Sequence, residues 1–358
     1  MAHRVIQWAT GNVGAHSLRA LIANPQFQLV GVLVYDKKKN GRDVGELCGI
    51  APVGIQATTD VEKILAIDAD CVAYNALGET KDPGRSLEDI CRLLESGKNV
   101  VSTAVSRHIH PNAMSPEDRR RLEEACRKGQ ASFHSTGINP GFSFDVLPIC
   151  LSAIANRIDR IHVVEVVDMS GYTSKSIVSG FIGMGLPPDV DAPADGIGDL
   201  RNNAFFTCFS LVADALHLTY SDFTLTREKA VTPTPLDLPW GRIPPNTVAA
   251  RRVRMEGLLN GAARIVYELV WRVSNDVAPD WPSGKAHYEL AIEGDPTLRC
   301  RLDIASSSGR SISLVTAMHA VNAIPSVCAA SPGIRTCIDF PLMGGGFFPV
   351  GSAQTTGR

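Results

Sequence analysis

Apolar positions in this chain recur in two rhythms. Over the first 140 residues, short near-continuous apolar runs alternate with stretches in which apolar residues return every three or four positions. The first pattern marks strands buried on both faces, the second the helices that cover them. Residues 4–8 read as a strand and 9–14 as a tight turn. A helix then begins near Ala15, carries Leu18, Leu21 and Ile22 on one face and stops at Asn24-Pro25. Residues 28–34 form the next strand, 60–66 a short helix and 70–74 a third strand. Ser86 reads as the cap of a helix bearing Leu87, Ile90 and Leu94, which Gly97 stops. A strand at 99–102, a helix from Ser115-Pro116 to Gly129 and a strand at 131–134 complete the series. Alternation at this spacing predicts an α/β unit with a doubly wound parallel sheet, spanning residues 1–140.

The pattern changes after a Gly/Pro/Asn-rich link at 135–145. A helix follows with Val146, Leu147, Cys150, Leu151 and Ile154 on its apolar side, and Pro148 is expected to kink or restart it. Residues 161–167, 263–273, 286–293 and 298–305 alternate like strands with one exposed face. Residues 141–313 therefore read as an α+β unit with a mainly antiparallel sheet. The loop 183–199, rich in Gly, Pro and Asp, and the proline-rich loop 231–246 are expected on the surface or at a pocket mouth. A last apolar helix spans 314–330, broken near Pro325, and 351–358 read as a loose tail.

Composition narrows the function. The chain has 358 residues, 44% hydrophobic and 20% charged, enough for two real cores. A formal net charge of −2 supplies no basic footprint, which argues against nucleic acid or an anionic membrane as partner and favours small molecules. No apolar run reaches membrane-spanning length and no leader-like segment precedes the first strand, so a cytoplasmic protein is expected. The nine cysteines are scattered singly, without zinc-type spacing, and read as buried reduced thiols; no metal is expected.

The chemistry concentrates in Arg4-Val-Ile-Gln-Trp-Ala-Thr-Gly-Asn-Val-Gly14. Strand, tight turn and helix in this order open a dinucleotide-binding βαβ unit. One glycine lets the backbone approach a pyrophosphate, a second lets helix pack on strand, and the helix N-terminus offers free N–H groups. Gly11 and Gly14 fill these roles, whereas Ala9 replaces the first glycine of the usual pattern. Ligands of such sheets lie beyond the carboxyl ends of the strands. The candidates for cofactor binding are therefore Thr10, Gly11, Asn12 and Val13; Tyr35, Asp36 and Lys37; Asn75 and Ala76; Thr103; and Asn139. Asp36 suits the ribose hydroxyl of NAD and the lysines at 37–39 suit the phosphate of NADP, so NADP(H) is favoured with NAD(H) as the alternative. For proton transfer the leading candidates are Tyr172, Asp168 and His108, with Lys175, Glu165 and His110 behind them. His134 reads as a core residue, and the sheet face of Glu165 is left open.

Four segments carry a family resemblance: Trp8-Ala-Thr-Gly-Asn-Val-Gly14, Gly41-Arg-Asp-Val-Gly-Glu-Leu47, Gly137-Ile-Asn-Pro-Gly-Phe142, and Met318-His-Ala-Val-Asn-Ala-Ile-Pro325 followed by Pro332-Gly333. Together they resemble the dihydrodipicolinate-reductase-like family, most of all its 2,4-diaminopentanoate dehydrogenases and native amine dehydrogenases. The resemblance implies a Rossmann domain, an α+β domain that also forms a homodimer, and a cleft between them for NAD(P)H and a small amine or ketone substrate. It implies as well that a C-terminal segment, about 314–340, packs back on the first domain. Native amine dehydrogenases carry a catalytic glutamate just after the strand that corresponds to 99–103, where this chain has Ala104-Val-Ser-Arg107. The substrate-binding His-His-x-x-x-Lys of dihydrodipicolinate reductase also has no match, since Asp168-Met-Ser-Gly-Tyr172 stands there. The expected activity is hydride transfer to or from a C=N carbon, as in reductive amination. Ketone reduction and a non-catalytic NAD(P)-binding sensor are the alternatives. A semialdehyde dehydrogenase would need a cysteine at the cleft, and Cys150 is the one nearest the link.

Overall fold

The computed structural model of the chain describes residues 1–78, 83–193, 204–305 and 311–346. The strands β1 (His3–Trp8), β2 (Phe27–Leu33), β3 (Cys71–Tyr74), β4 (Asn99–Ser102), β5 (Ser132–Ser135) and the two-residue β14 (Gly333–Ile334) form one sheet. Its order is β14-β5-β4-β3-β1-β2, and every pair is parallel. Trp8 sits opposite Leu33 on one side and Tyr74 on the other, so the carboxyl ends of the three strands are level. Helices α1 (Asn12–Ala23), α2 (Pro83–Glu95) and α3 (Pro116–Gly129) cover the sheet. Such a sheet is fed from both faces, which is why its strands read as unbroken apolar runs: Val5, Ile6, Val72 and Val100 are all fully buried.

Three boundaries differ from expectation. The first helix starts at Asn12 rather than near Ala15, with Gly11 as its N-cap. α2 opens at Pro83, so Ser86 lies inside it and does not cap it. In α3, Gly129 is helical and Gln130 takes the left-handed conformation at φ 52°. Gly129 answers a packing demand instead, because a Cβ there would collide with the Leu94 carbonyl of α2.

The second sheet comprises β6 (Arg157–Asp168), β7 (Asp222–Val231), β10 (Val248–Leu259), β11 (Ala262–Arg272), β12 (His287–Asp295) and β13 (Leu298–Asp303). Its order is β13-β12-β6-β11-β10-β7, antiparallel throughout except for the β6–β11 pair. Helices α4 (Val146–Ser152) and α5 (Ala204–Ala215) cover one face. The core beneath them gathers Phe144, Val163, Phe209, Tyr267 and Leu290. β7, β10 and α5 are elements that the sequence pattern does not announce. Pro148 neither kinks nor restarts α4, because it occupies the first turn, where no backbone N–H is needed. Cys150 and Ile154 are exposed instead of packed. The proline-rich loop contains a small hairpin of β8 (Leu236–Leu238) and β9 (Gly241–Ile243). Residues 194–199 of the other long loop, and the tail 351–358, lie outside the described residues.

The last helix, α6 (Ser311–Ala329), runs unbroken through Pro325. Burial of both flanking turns holds it together: Ala320, Val321, Ala323, Ile324 and Val327 pack with Val5, Leu18, Leu21 and Val101 of the first unit. By length and composition its residues Ile312–Ala329 could cross a membrane, with a mean hydropathy of 1.5, contrary to the reading that no run is long enough. Here its apolar side lies against α1 and the first sheet. The cysteines also depart from expectation. Cys48, Cys71, Cys91, Cys126 and Cys208 are buried, whereas Cys300, Cys328 and Cys337 are half-buried and Cys150 is exposed.

Candidate active site

β1 is flanked by β2 on one side and β3 on the other, so the chain reverses its direction of winding at β1 and leaves a crevice beyond the strand ends. A cleft of about 630 Å³ opens there. Of the residues proposed to bind cofactor, Thr10, Gly11, Asn12, Val13, Tyr35, Asp36, Asn75, Ala76 and Thr103 line it. Ser174, Ser176 and Ile177 close it from the second unit, and Ser313 of α6 from above. Lys37 is exposed and outside the lining, which Lys39 joins instead, its Nζ donating to the Thr10 carbonyl and hydroxyl at 3.0 Å each. Asp36 spends one carboxylate oxygen on capping the following 3-10 turn, accepting from Lys38 N at 2.9 Å.

The turn after β1 has the shape that a pyrophosphate requires. A Cβ on Gly11 would meet nothing within 4 Å, so its backbone faces open cleft. A Cβ on Gly14 would strike the Ala9 carbonyl. Ala9 itself stands at φ 72°, the left-handed conformation for which the usual pattern supplies a glycine. No side chain caps α1, so the N–H groups of its first turn remain available to an anion. These residues fit a dinucleotide.

A buried polar chain fixes the floor of the cleft. Ser17 Oγ donates to Gln7 Oε1 at 2.7 Å, Gln7 Nε2 donates to Asn75 Oδ1 at 2.9 Å, and Asn75 Nδ2 donates to Thr103 Oγ1 at 2.9 Å. Gln7 escaped the sequence reading, although a glutamine inside an apolar strand is the visible sign of such a network. At the far end Tyr35 accepts from Trp8 Nε1 at 2.8 Å and donates to Asp89 at 3.3 Å, and the Arg85 guanidinium lies 5.2 Å from its ring centre. Burial raises the pKa of both Tyr35 and Asp89. A recess of about 610 Å³ beside this group is walled by Val34, Thr59, Val61, Arg85 and Ser86.

Asp168, the last residue of β6, and Tyr172, four residues on, line a further cavity of about 550 Å³ together with Lys285, Asp303 and Ile312 of α6. The Tyr172 hydroxyl is pushed up to about 12 by burial first and then by the charges of Glu165 and Asp168. Lys175 is exposed and lines neither space. Glu165 faces inward. Its Oε2 accepts from Asn139 Nδ2 at 2.6 Å and its Oε1 from Trp271 Nε1 at 2.8 Å, and burial raises its pKa. Asn139 thus turns toward Glu165 and is absent from the cleft lining.

The histidines lie elsewhere. His108 is fully buried, donates from Nε2 to Asp118 Oδ2 at 2.9 Å and lines neither cavity. That hydrogen bond, with Arg107 nearby, holds Asp118 down at about 2. His110 binds Asp214 of α5 at 2.7 Å and thereby ties the first unit to the second. His134 sits in the core with Nδ1 on the Arg335 carbonyl at 2.8 Å, and burial lowers it to about 4. Cys150 approaches neither space, which leaves the semialdehyde dehydrogenase reading without its nucleophile. Among the described residues no group of three or more His, Cys, Asp or Glu could hold a metal ion.

Comparison with known proteins agrees with this architecture. Residues 142–346 match the family model of the 2,4-diaminopentanoate dehydrogenase C-terminal domain, and residues 5–73 match that of the dihydrodipicolinate reductase N-terminus. The chain is 34% identical over 348 residues to an amine dehydrogenase of Streptomyces virginiae, covering 94% of this chain and 96% of the relative. It is 24% identical to the 2,4-diaminopentanoate dehydrogenase of Acetoanaerobium sticklandii over 72% of this chain and 70% of that one. In structure it resembles the amine dehydrogenase of Mycobacterium smegmatis, with a TM-score of 0.77 and 20% identity over 96% of this chain and 97% of that one.

Proposed function

Because the chain belongs to the family of the 2,4-diaminopentanoate and amine dehydrogenases, we propose that it is an NADP(H)-dependent oxidoreductase that forms small amines by reductive amination of a ketone or aldehyde. The observation that carries this reading is the placement of two spaces beside one helix: a dinucleotide-shaped cleft at the ends of β1 to β4, lined by Ser313 of α6, and a cavity at Asp168 and Tyr172, lined by the neighbouring Ile312. When bound, the cofactor supplies the hydride. The chain's own residues position it. The backbone at Thr10 to Val13 holds the pyrophosphate, Tyr35 and Arg85 flank the adenosine, and the paired Asn75 and Thr103 hold the nicotinamide half. Lys38, Arg85 and the exposed Lys37 favour the extra phosphate of NADP(H), since Asp36 is engaged as a cap. Tyr172 and Asp168 meet the substrate.

Ketone reduction is the second reading, favoured by the Tyr172 hydroxyl in the cavity wall, a proton donor suited to a developing alkoxide. The resemblance extends the proposal to a homodimer, which light scattering of the purified chain would test. The reaction is tested by following NADPH and NADH absorbance with a panel of ketones and aldehydes, with and without excess ammonium. Consumption that requires ammonium supports amine formation. Consumption without ammonium supports ketone reduction, and tight cofactor binding with no turnover would leave a sensor.

A further inference from the structure

α6 runs from the cofactor cleft to the opposite edge of the first sheet. Ser313 in its first turn lines the cleft, and Cys328 in its last turn lies about 15 residues further on, roughly 22 Å along the axis. That far end meets Cys71, the first residue of β3, on the side away from the strand ends that open on the cleft. Cys71 is fully buried and Cys328 half-buried, and both belong to the core that joins α6 to α1 and the first sheet. The two thiols are within hydrogen-bonding reach of each other. Carbonyls of the same strand start also place them: Cys71 Sγ donates to Val72 O at 3.8 Å and Cys328 Sγ to Asp70 O at 3.9 Å. Strand and helix come from distant parts of the chain, so the fold itself brings these sulfurs together. Burial keeps Cys71 protonated, its pKa raised well above the ordinary thiol range. Cys328 is the member that solvent reaches, and it stands in a terminal helical turn, where a side chain shifts at little cost.

We propose that Cys71 and Cys328 form a reversible disulfide in the presence of peroxide, a staple that fastens the last helix to the first sheet at the end remote from the cofactor. The inference holds whichever substrate the enzyme takes. The Cys328 thiolate attacks one oxygen of hydrogen peroxide, the O–O bond breaks, and the hydroxide released takes up a proton as water. Cys328 is left as a sulfenic acid. The sulfur of Cys71 then attacks that of Cys328, the S–O bond breaks, and the hydroxide set free takes the Cys71 proton. Two thiols and one peroxide thus become one disulfide and two waters, with two electrons passing from sulfur to peroxide. A dithiol reductant reverses the bond by exchange. The loop so closed contains the second sheet and most of the chain, so the bond restricts the unfolded state strongly. It occupies no part of the cleft, because Ser313 stands at the other end of the helix.

The experiment treats the reduced full chain with a few equivalents of hydrogen peroxide, blocks the remaining thiols in denaturant and maps the peptides by mass spectrometry. Expected is a linked pair containing Cys71 and Cys328, two hydrogens lighter than its reduced parts and released by dithiothreitol. Oxidation should raise the Tm of the wild type by about 5 °C or more. The affinity for the reduced nicotinamide cofactor, read by fluorescence titration, should stay within about threefold, since the bond lies at the far end of α6. Cys328→Ser and Cys71→Ser should each abolish the rise in Tm. In Cys71→Ser a dimedone adduct should appear on Cys328, marking the sulfenic acid that has lost its partner. The wild-type peptide map stands even if a serine variant folds poorly. Peroxide that leaves Cys71 and Cys328 unlinked, whether or not it oxidises the exposed Cys150, overturns the inference. A link that forms without raising Tm, or that weakens cofactor binding beyond about threefold, overturns it as well.

Discussion

The Cα of Gly14 lies so near the carbonyl of Ala9 that no side chain fits between them, while Ala9 holds its own φ at 72° to bring that carbonyl there. The two residues share one constraint and respond to it oppositely. Gly14→Ala should push α1 away from β1 and weaken NADPH binding by more than about tenfold, because the N–H groups at the helix start lose their aim. Ala9→Gly should relieve the left-handed strain, partly offset by the greater freedom of glycine when unfolded. A net gain of about 0.5 kcal/mol is expected, seen as a small rise in Tm. A fall in Tm for Ala9→Gly would show that the alanine is unstrained.

Cofactor choice is expected to follow the cations after β2. Replacing Lys37 and Lys38 with alanine, and Arg85 with alanine separately, should each raise KM for NADPH by roughly tenfold, about 1.4 kcal/mol per step. KM for NADH should change by less than about twofold. Equal loss with both cofactors would show that these cations do not read the 2′-phosphate.

Asp168 reaches the cavity from the end of β6 and Tyr172 from four residues beyond it. Tyr172→Phe and Asp168→Asn are each expected to lower kcat by about 10- to 100-fold with little effect on NADPH affinity. If either variant changes only KM for the carbonyl substrate, that residue binds and does not move a proton.

Acid should destabilise the fold through two imidazoles. His134 and His319 are each lowered to about 4, in both cases by burial first, and His319 also by the nearby His134. Their folded pKa lies below the unfolded value, so the unfolded chain takes up protons first as pH falls from about 6.5. Stability is then lost progressively until about pH 4, by roughly 2 kcal/mol per histidine at pH 5. Urea unfolding at pH 7.5 and pH 5 tests this, and His319→Asn, which can still pair with Thr136, should flatten the slope. Asp118 acts lower on the scale: held at about 2, its contribution is present above the ordinary carboxylate range and disappears as pH falls through 2.

The parallel sheet was readable because both its faces are buried and its strands are therefore apolar throughout. β10 was not, since Arg252 pairs with Glu228 and Glu268 and Arg254 with Glu268 across the strands of the second sheet, and Arg254 also pairs with Glu256 along β10, so that charged residues erase the apolar alternation. α5 hid for the opposite reason: Phe205-Phe-Thr-Cys-Phe-Ser-Leu-Val212 is apolar on nearly every side and has no period to detect. At the candidate site, residues at the carboxyl ends of strands could be named from position alone, which is how Thr10 to Val13, Asn75 and Thr103 were found. Glu165 needed a face assignment that its pairing with β11 and β12 supplies. His108 was placed by its distance from β4 along the chain, and the 3-10 turn at Ser106–His108 carries its ring into the core against Phe133.

α6 has a bearing on how the molecule is made. Leu18 and Leu21 emerge from the ribosome early, yet Ala320, Val321 and Ile324, which cover them, are translated some 300 residues later. At about 5–20 residues per second, that interval is roughly 15 to 60 s. Throughout it the nascent N-terminal half presents an uncovered greasy flank, a natural stop for a chaperone. A protein cut between its two sheets would keep that flank open permanently.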